Sequence, residues 1–425
     1  ASSCIAGHGQ MLVHMNTGGE TTALDFSHRA PRAATADMFR VVGQAERGNS
    51  IYTVEGEANE SGHLSVGVPG VTAGLCKAHA LFGTLPLEQL LEPAVHYAEN
   101  GFDLDWRTAL TISDSMAELS PKPGSAAVFL PGGRPPRSGV ERLVQRDLGQ
   151  TLRAIARGGK DALYRGELPE AVAEDMAANG GVLAVEDFHD YAVQVGPPTR
   201  TAYRGCEVLG VPMPGGGTTE QQTLGILDGF DVGGLEHNSP EYLHLLMEAA
   251  RHAFADRYRY LGDPDFVPVP LEGLLSRAYA QEVGKAIDRG RASLEDERDL
   301  QPWIAFADRA LHDPWAYDPS PRPQGNMPAS APSVGDCTTH FGIVDRDRNM
   351  VACTQTAVGG LGSRVVTPGT GILLTNGMIV FNPRPGAANS IAGYKRGLSN
   401  MGPLLVLRDG KPFLNVGAPG GRKIM

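Results

Sequence analysis

Behind a run of prolines lies Asp336-Cys337-Thr338-Thr339-His340, a stretch whose residue types can do chemistry together. A threonine hydroxyl is a weak nucleophile unless a base sits beside it. One solution places the threonine at a chain terminus, where its own α-amine, with a pKa near ~8, serves as that base. Such a terminus arises inside a chain when the hydroxyl attacks the carbonyl of the residue before it, an ester forms and water hydrolyses the ester. A flexible linker just upstream lets the new end move away. The segment from Asp313 to Val334, with Pro314, Pro319, Pro321, Pro323, Pro328 and Pro332, has no apolar period and reads as that mobile loop. By spacing alone, Thr-Thr-His at a strand start also reads as plain β-propensity.

Other chemistry-bearing residues compete. Cys337 is a second nucleophile candidate, because thiols are intrinsically the better nucleophiles. His340 is read as a packing histidine, since an α-amine at Thr338 would already fill the role of base. Gly7-His8-Gly9 with His14 hints at metal, but no helical His-Glu-x-x-His and no nearby acidic cluster accompanies it, so these are read as structural histidines. Pro214-Gly215-Gly216-Gly217-Thr218-Thr219 lacks the lysine of a phosphate-binding loop and is read as a tight structural or substrate-lining loop. His244 and His252 fall in a long helix and are assigned to packing or surface.

The elements that must position these groups follow from periodicity. Gln10 to His14 and Thr22 to Phe26 read as two short strands around a Gly18-Gly19 turn. Two helices are expected between Pro69 and Gly101. The second has Thr84 as N-cap and Leu90, Leu91, Ala94, Val95 and Ala98 on one face, with Pro93 bending it or delaying its start. Helices are also expected over Asp147 to Arg157 and Leu168 to Asn179. Another starts at Ser239-Pro240-Glu241 and presents Leu243, Leu246, Met247, Ala250 and Phe254 at helical spacing. Thr338 to Val344 and Met350 to Thr356 form a hairpin joined by Asp345 to Asn349. Short strands follow at Gly371 to Leu374, Leu404 to Leu407 and Phe413 to Val416. Helices first and strands last indicate an α+β layered fold.

Composition sets the outer bounds. The 425 residues suffice for one large or two ordinary domains, and 41% hydrophobic with 20% charged residues is ordinary for a soluble globular protein. A net charge of -11 with scattered basic residues argues against nucleic acid or anionic membrane as the main partner. No stretch has the roughly 18 consecutive apolar residues of a membrane span. The five cysteines include no CxxC pair and suggest no disulfide framework. The compartment, cytoplasmic or periplasmic, stays open.

Many ordered matches along the chain carry a resemblance. Asp336 to Phe341 followed by Val344 to Asn349 resembles the γ-glutamyltransferase motif around its nucleophilic threonine. Thr354-Gln355-Thr356, Pro368 to Leu374, Leu398 to Pro403 and Gly417-Ala418-Pro419-Gly420-Gly421 come next in that family's order. Upstream, Asp25-Phe26 with Ala30-Pro31, Gly67 to Gly70 and Tyr260 to Phe266 also match. The resemblance implies a four-layer αββα sandwich of the N-terminal-nucleophile hydrolases, built jointly by two autocleavage products. It implies cleavage between Cys337 and Thr338, giving a large subunit of residues 1–337 and a small one of 338–425. Against the family pattern, the chain is expected to lack the first helical segment and the part beyond the Gly-Gly turn.

Carried over residue by residue, the resemblance makes Thr338 the nucleophile and, through its new amine, the base. Thr356 would hydrogen-bond the nucleophile, and Gly420 and Gly421 would offer N–H groups to the oxyanion. No metal or organic cofactor is implied, and the partners are a small-molecule amide and the two subunits of one precursor. The substrate grip departs from the pattern. The arginine for an α-carboxylate falls on Ser27, the asparagine after the second threonine on Val358, and the two α-ammonium ligands on Gly377 and Val380. Of the paired serines, Ser399 stands and the other is Asn400. Arg29 is the first substitute carboxylate grip, with Arg384 and Arg396 behind it. The expected activity is hydrolysis or transfer of a γ-glutamyl or glutaryl-like acyl group through a threonyl ester, as in the cephalosporin acylases of the same superfamily. The alternative is a catalytically silent relative that stays uncut and acts by binding.

Overall fold

The computed structural model describes residues 3–44, 52–293, 312–323 and 337–421. Strands β1 (His8–Met15) and β2 (Glu20–Phe26) form the expected hairpin, antiparallel with Gly9 opposite Phe26 and His14 opposite Thr21. Gly19 turns it at φ 65°, a conformation that glycine adopts without a Cβ clash. Strands β3 (Gln194–Gly196), β4 (Thr199–Tyr203) and β5 (Cys206–Gly210) come after a helical region. The last quarter supplies β6 (Cys337–Val344), β7 (Met350–Val358), β8 (Leu404–Arg408) and β9 (Lys411–Val416). They assemble into a five-stranded sheet in the order β6-β7-β1-β2-β3 and a four-stranded sheet in the order β9-β8-β5-β4, with every pairing antiparallel. Strands from both sides of the Cys337–Thr338 bond are thus interleaved: β7 pairs with β1, and β8 with β5.

Alternation along β1 assigns its two faces. Leu12 joins Ala23, Leu209, Val211, Met350, Ala352, Leu405 and Leu407 in one buried cluster that spans both sheets. Met11 and Val13 face the other way, onto Leu24, Phe26 and Val71 of helix α1 (Val71–Phe82). Because both faces are covered, β1 is buried over all but its last residue.

Helix α2 (Leu87–Asn100) corrects the expectation for its start and its face. Pro86, not Thr84, occupies the N-cap position, and the helix runs through Pro93. Only Val95 and Ala98 are buried, against Leu152 of α3 (Arg146–Gly158), while Leu90 is 48% exposed. One neighbour covers it, so a narrow stripe suffices. Helix α4 (Glu167–Ala178) lies where expected.

Helix α5 (Gly217–Leu227) covers the four-stranded sheet through Gln221, whose amide donates to Val208 O at 3.0 Å and Thr199 O at 3.2 Å. Behind it lies α6 (Pro240–Tyr260), capped by Ser239, whose hydroxyl accepts from Tyr242 N at 3.2 Å. The expected apolar face of α6 is corrected in part: Leu243, Leu246 and Met247 are exposed, while Phe254 is buried. Its inner face holds Leu245, Ala249 and Ala253 together with the buried polar groups Glu248, Arg251, His252, Asp256 and Arg257.

The proline-rich segment is also corrected in part. Pro314–Tyr317 is a short 3-10 helix with Trp315 buried, and Gly273 N donates to Asp318 at 2.9 Å. Residues 324–334 lie outside the described residues.

Candidate active site

Thr338 sits at an irregularity in the sheet. Pairing of β6 with β7 jumps from Cys337 opposite Val358 to Thr339 opposite Gln355, so Thr338 faces two residues of β7. A bulge of this kind re-aims a side chain and ends regular pairing. One of the two facing residues is Thr356. Its hydroxyl oxygen accepts from Val358 N at 2.8 Å and donates to the Cys337 carbonyl, in close contact. Val358 holds φ 77°, a left-handed conformation strained for a β-branched residue. Its surroundings enforce it: Gly359 N donates to Asn376 Oδ1 at 2.8 Å, and Thr375 Oγ1 donates to Ala357 O at 3.0 Å.

A second loop closes over this point. Ser399 N donates to Pro214 O at 2.8 Å, and Gly216 N donates to Met401 O at 2.8 Å, so Pro214–Thr219 is a structural cradle for residues 399–401. From α6, Arg257 Nη2 donates to Ser399 O and to Asn400 Oδ1, each at 2.8 Å. That contact fixes the Asn400 amide: its oxygen is occupied, and its buried Nδ2 has no partner. Burial brings the Arg257 pKa down to about 10, and pushes the carboxyl of neighbouring Glu220 well above its ordinary value.

His8, Cys337, Thr338, Thr356, Val358, Val380, Ser399, Asn400, Met401 and Gly421 line one cleft of about 20 Å³. Such a volume holds about one water and no acyl group. Among the described residues, no lysine, arginine, aspartate or glutamate lines it. The structure therefore gathers Thr338, Cys337, Thr356, Ser399, Asn400 and Gly421 of the sequence expectations. Gly420 adjoins the cleft through Gly421; at φ 138° and 64° the pair has backbone geometry suited to glycine.

Arg29 is a correction. Its guanidinium donates to Tyr394 O at 3.0 Å and lies over the Tyr394 ring, outside the cleft lining. Arg384 stacks on Tyr52, and Arg396 is bound to Asp25 and Asp263, so neither substitutes for it. His340 hydrogen-bonds with Thr354 Oγ1 at 2.8 Å, as a packing histidine would.

His8 was not singled out for this site by its sequence. It stands opposite Thr356 in the β1–β7 register and its ring packs edge-on against His28, centroids 4.2 Å apart. Burial and the neighbouring His28 hold its pKa well below the ordinary histidine value, and burial takes His28 down to about 3. The available signal was its glycine neighbours. A Cβ at position 7 would meet Thr356 O at 2.3 Å, and one at position 9 would meet the Phe26 ring at 2.4 Å. No group of three or more potential metal ligands occurs among the described residues.

Known proteins resemble this chain over nearly its whole length. Residues 1–425 match the family model described as Gamma-glutamyltranspeptidase. An acylase ACY 1 proenzyme of Pseudomonas sp. (strain V22) is 38% identical over 407 residues, covering 96% of this chain and 67% of the relative. A glutathione hydrolase proenzyme of Escherichia coli (strain K12) is 34% identical over 433 residues, covering 99% and 68%. The chain thus spans about two thirds of the length of these relatives. In structure it resembles the cephalosporin acylase from Bacillus halodurans, with TM-score 0.76, 26% identity and coverage of 97% and 68%. It also resembles Helicobacter pylori gamma-glutamyltranspeptidase, with TM-score 0.63, 34% identity and coverage of 68% and 80%.

Proposed function

The chain belongs to the gamma-glutamyltranspeptidase family, and from that premise we propose that it is a self-processing threonine amidohydrolase or acyltransferase. The observation that carries the proposal is the Thr356 hydroxyl: held by Val358 N, it donates to the carbonyl of Cys337, the bond next to Thr338. Polarising that carbonyl draws the Thr338 hydroxyl onto it, and cleavage between Cys337 and Thr338 leaves a free α-amine as base for turnover. In turnover, Thr338 forms a threonyl ester with the acyl group, and the N–H groups at Gly420 and Gly421 receive the oxyanion. A cleft of about 20 Å³ has no room for that acyl group until the Cys337 end leaves, which makes the uncut chain a zymogen.

Residues 1–337 and 338–425 are the two products, and they stay together as one αββα sandwich. The shared inter-sheet core, α1 outside the first sheet and α5 with α6 outside the second support this layering.

The substrate is a small amide whose acyl group ends in a hydrogen-bond acceptor and lacks an ammonium, a glutaryl-like group rather than a γ-glutamyl one. Ser399 and the free Asn400 Nδ2 offer donors, while Val358 and Val380 form apolar walls. A hydrogen bond to a charged group contributes roughly 1.5–3 kcal/mol, and an ammonium against Val380 would find no counter-charge. The presence of acylases as well as glutathione hydrolases among the relatives fits this choice.

Two measurements test the proposal. The denatured intact mass of the wild type should show two fragments meeting between Cys337 and Thr338, absent from Thr338→Ala. An uncut chain in both would favour the silent, binding-only reading. The cleaved protein should then hydrolyse glutaryl anilide faster than γ-glutamyl anilide, and the reverse order would remove the acyl assignment while leaving the nucleophile in place.

A further inference from the structure

Self-cleavage needs a base before the free amine exists. In the uncut chain the nitrogen of Thr338 is an amide, its lone pair delocalised into the peptide bond, and it takes no proton from the Thr338 hydroxyl. The base must then be another group in the cleft. Among the described residues lining it, His8 alone carries a nitrogen base, an imidazole with one acceptor nitrogen when neutral.

We infer that His8 is the proton acceptor, and then the proton donor, of the self-cleavage step, reaching Thr338 through one water; this rests on the reading of Thr338 as nucleophile given above. His8 and Thr356 are paired across β1 and β7 and so present their side chains on one face of the sheet. Thr338 lies one strand further on, at the irregularity of β6. Two strand spacings of about 4.8 Å separate the backbones of His8 and Thr338 by about 10 Å. Both side chains line the same cleft, whose volume of about 20 Å³ holds about one water.

The His8 ring is 1% exposed, and neither of its nitrogens has a hydrogen-bond partner. On the same face His14 and His340 each give one ring nitrogen to a threonine hydroxyl, Thr21 and Thr354, at 2.8 Å, and neither lines the cleft. His8 therefore has acceptor capacity left for the cleft. Burial beside His28 keeps the resting ring neutral and makes its imidazolium a strong acid, suited to returning the proton.

The step balances within these groups. As Thr338 Oγ bonds to the Cys337 carbonyl carbon, its proton passes through the water to His8, and the carbonyl electrons move to the oxygen that Thr356 holds. When the intermediate collapses, the carbon–nitrogen bond breaks and the proton returns through the same water to the Thr338 nitrogen. A buried imidazolium releases that proton readily. The products are the free amine and an ester, which a second water hydrolyses to the Cys337 carboxylate and the Thr338 hydroxyl.

The test tracks newly synthesised full-length chain by intact mass over time, for wild type, His8→Gln and His8→Gly. A positioned acid–base group contributes about 10²–10⁴-fold, so both variants should cleave at least ~100-fold more slowly. His8→Gln, which keeps most of the side-chain volume, should do so with its unfolding temperature unchanged. Added imidazole should speed His8→Gly, and pyrrole, the same ring without a basic nitrogen, should not. Cleavage of His8→Gln at the wild-type rate would overturn the inference. So would equal responses of His8→Gly to imidazole and pyrrole, which would reduce His8 to a space-filling ring. An uncut wild type would instead remove the reading of Thr338 on which the inference stands.

Discussion

A hydroxyl has one hydrogen to give, and at Thr356 its destination is settled. The Val358 N–H occupies a lone pair of Oγ1, and the hydrogen goes to the Cys337 carbonyl. Removing one such donor from a developing oxyanion typically costs about 10²–10³ in rate. Thr356→Ala should therefore slow appearance of the Thr338 fragment by about that factor, and Thr356→Ser should restore most of it, both tracked by intact mass. If alanine cleaves as fast as serine, the hydroxyl is not the activating group. That Thr338, Thr356, Cys337, Ser399, Asn400 and Gly421 share one cleft was legible in the sequence because each sits in a short motif with a fixed backbone setting. Arg29 was not, because motif position says nothing of where a long flexible side chain lies, and here the Tyr394 ring and carbonyl claim it. His8 escapes notice because a lone histidine between glycines looks like loop chemistry, and only pairing with β7 puts it beside Thr356.

Loops carry half the cleft, so the elements that clamp them decide whether it forms. Arg396 is 3% exposed and joins three regions: it donates to Asp25 at the end of β2 at 2.8 Å, to Asp263 just past α6, and to Asp265 at 3.0 Å. Removing one partner of a buried ion pair typically costs about 3–5 kcal/mol. With Asp25 still in place, Asp263→Asn should lose about 3 kcal/mol in urea unfolding, measured in the uncut Thr338→Ala background. A loss below about 1 kcal/mol, the scale of an exposed pair, would show that Asp25 and Asp265 hold the clamp alone. The strands of the two hairpins were readable from their apolar and β-branched runs between turn residues, which fits β1 and β7 with apolar residues packed on both faces. The buried face of α6 was not, because charged groups sit inside it. Glu248 pairs with Arg251, and Arg257 is bound to Ser399 O and Asn400. A hydrophobic period cannot register a core face whose polar groups are internally paired.

Acid should expose what the fold does with its histidines. His8, His28 and His252 are sealed in neutral form, with burial as the leading cause; His28 and His252 are each held at about 3 and His8 lies well below the ordinary value. Unfolded, each binds a proton below about pH 6.5. From there down to about 3 the unfolded chain holds more protons than the folded one, so stability is complete above pH 6.5 and falls as pH drops through that window. Glu220 works in the opposite direction: its raised pKa means the fold keeps a proton that the unfolded chain releases above about 4.5. The net slope therefore mixes signs, and a difference between variants isolates one group. In the Thr338→Ala background, stability should be measured by urea unfolding at intervals from about pH 7 to about pH 5, a range in which most carboxylates stay ionised. His28→Gln should start from a lower value, because the glutamine lies among the tight backbone contacts of Gly67, Gly377 and Gly397. Its decline toward the acid end should nevertheless be shallower than the parent's by about 1.4 kcal/mol per pH unit at most, the limit for a single proton. Parallel declines would mean that His28 takes up its proton in the folded protein, and that the apolar seal around the His8–His28 pair admits charge.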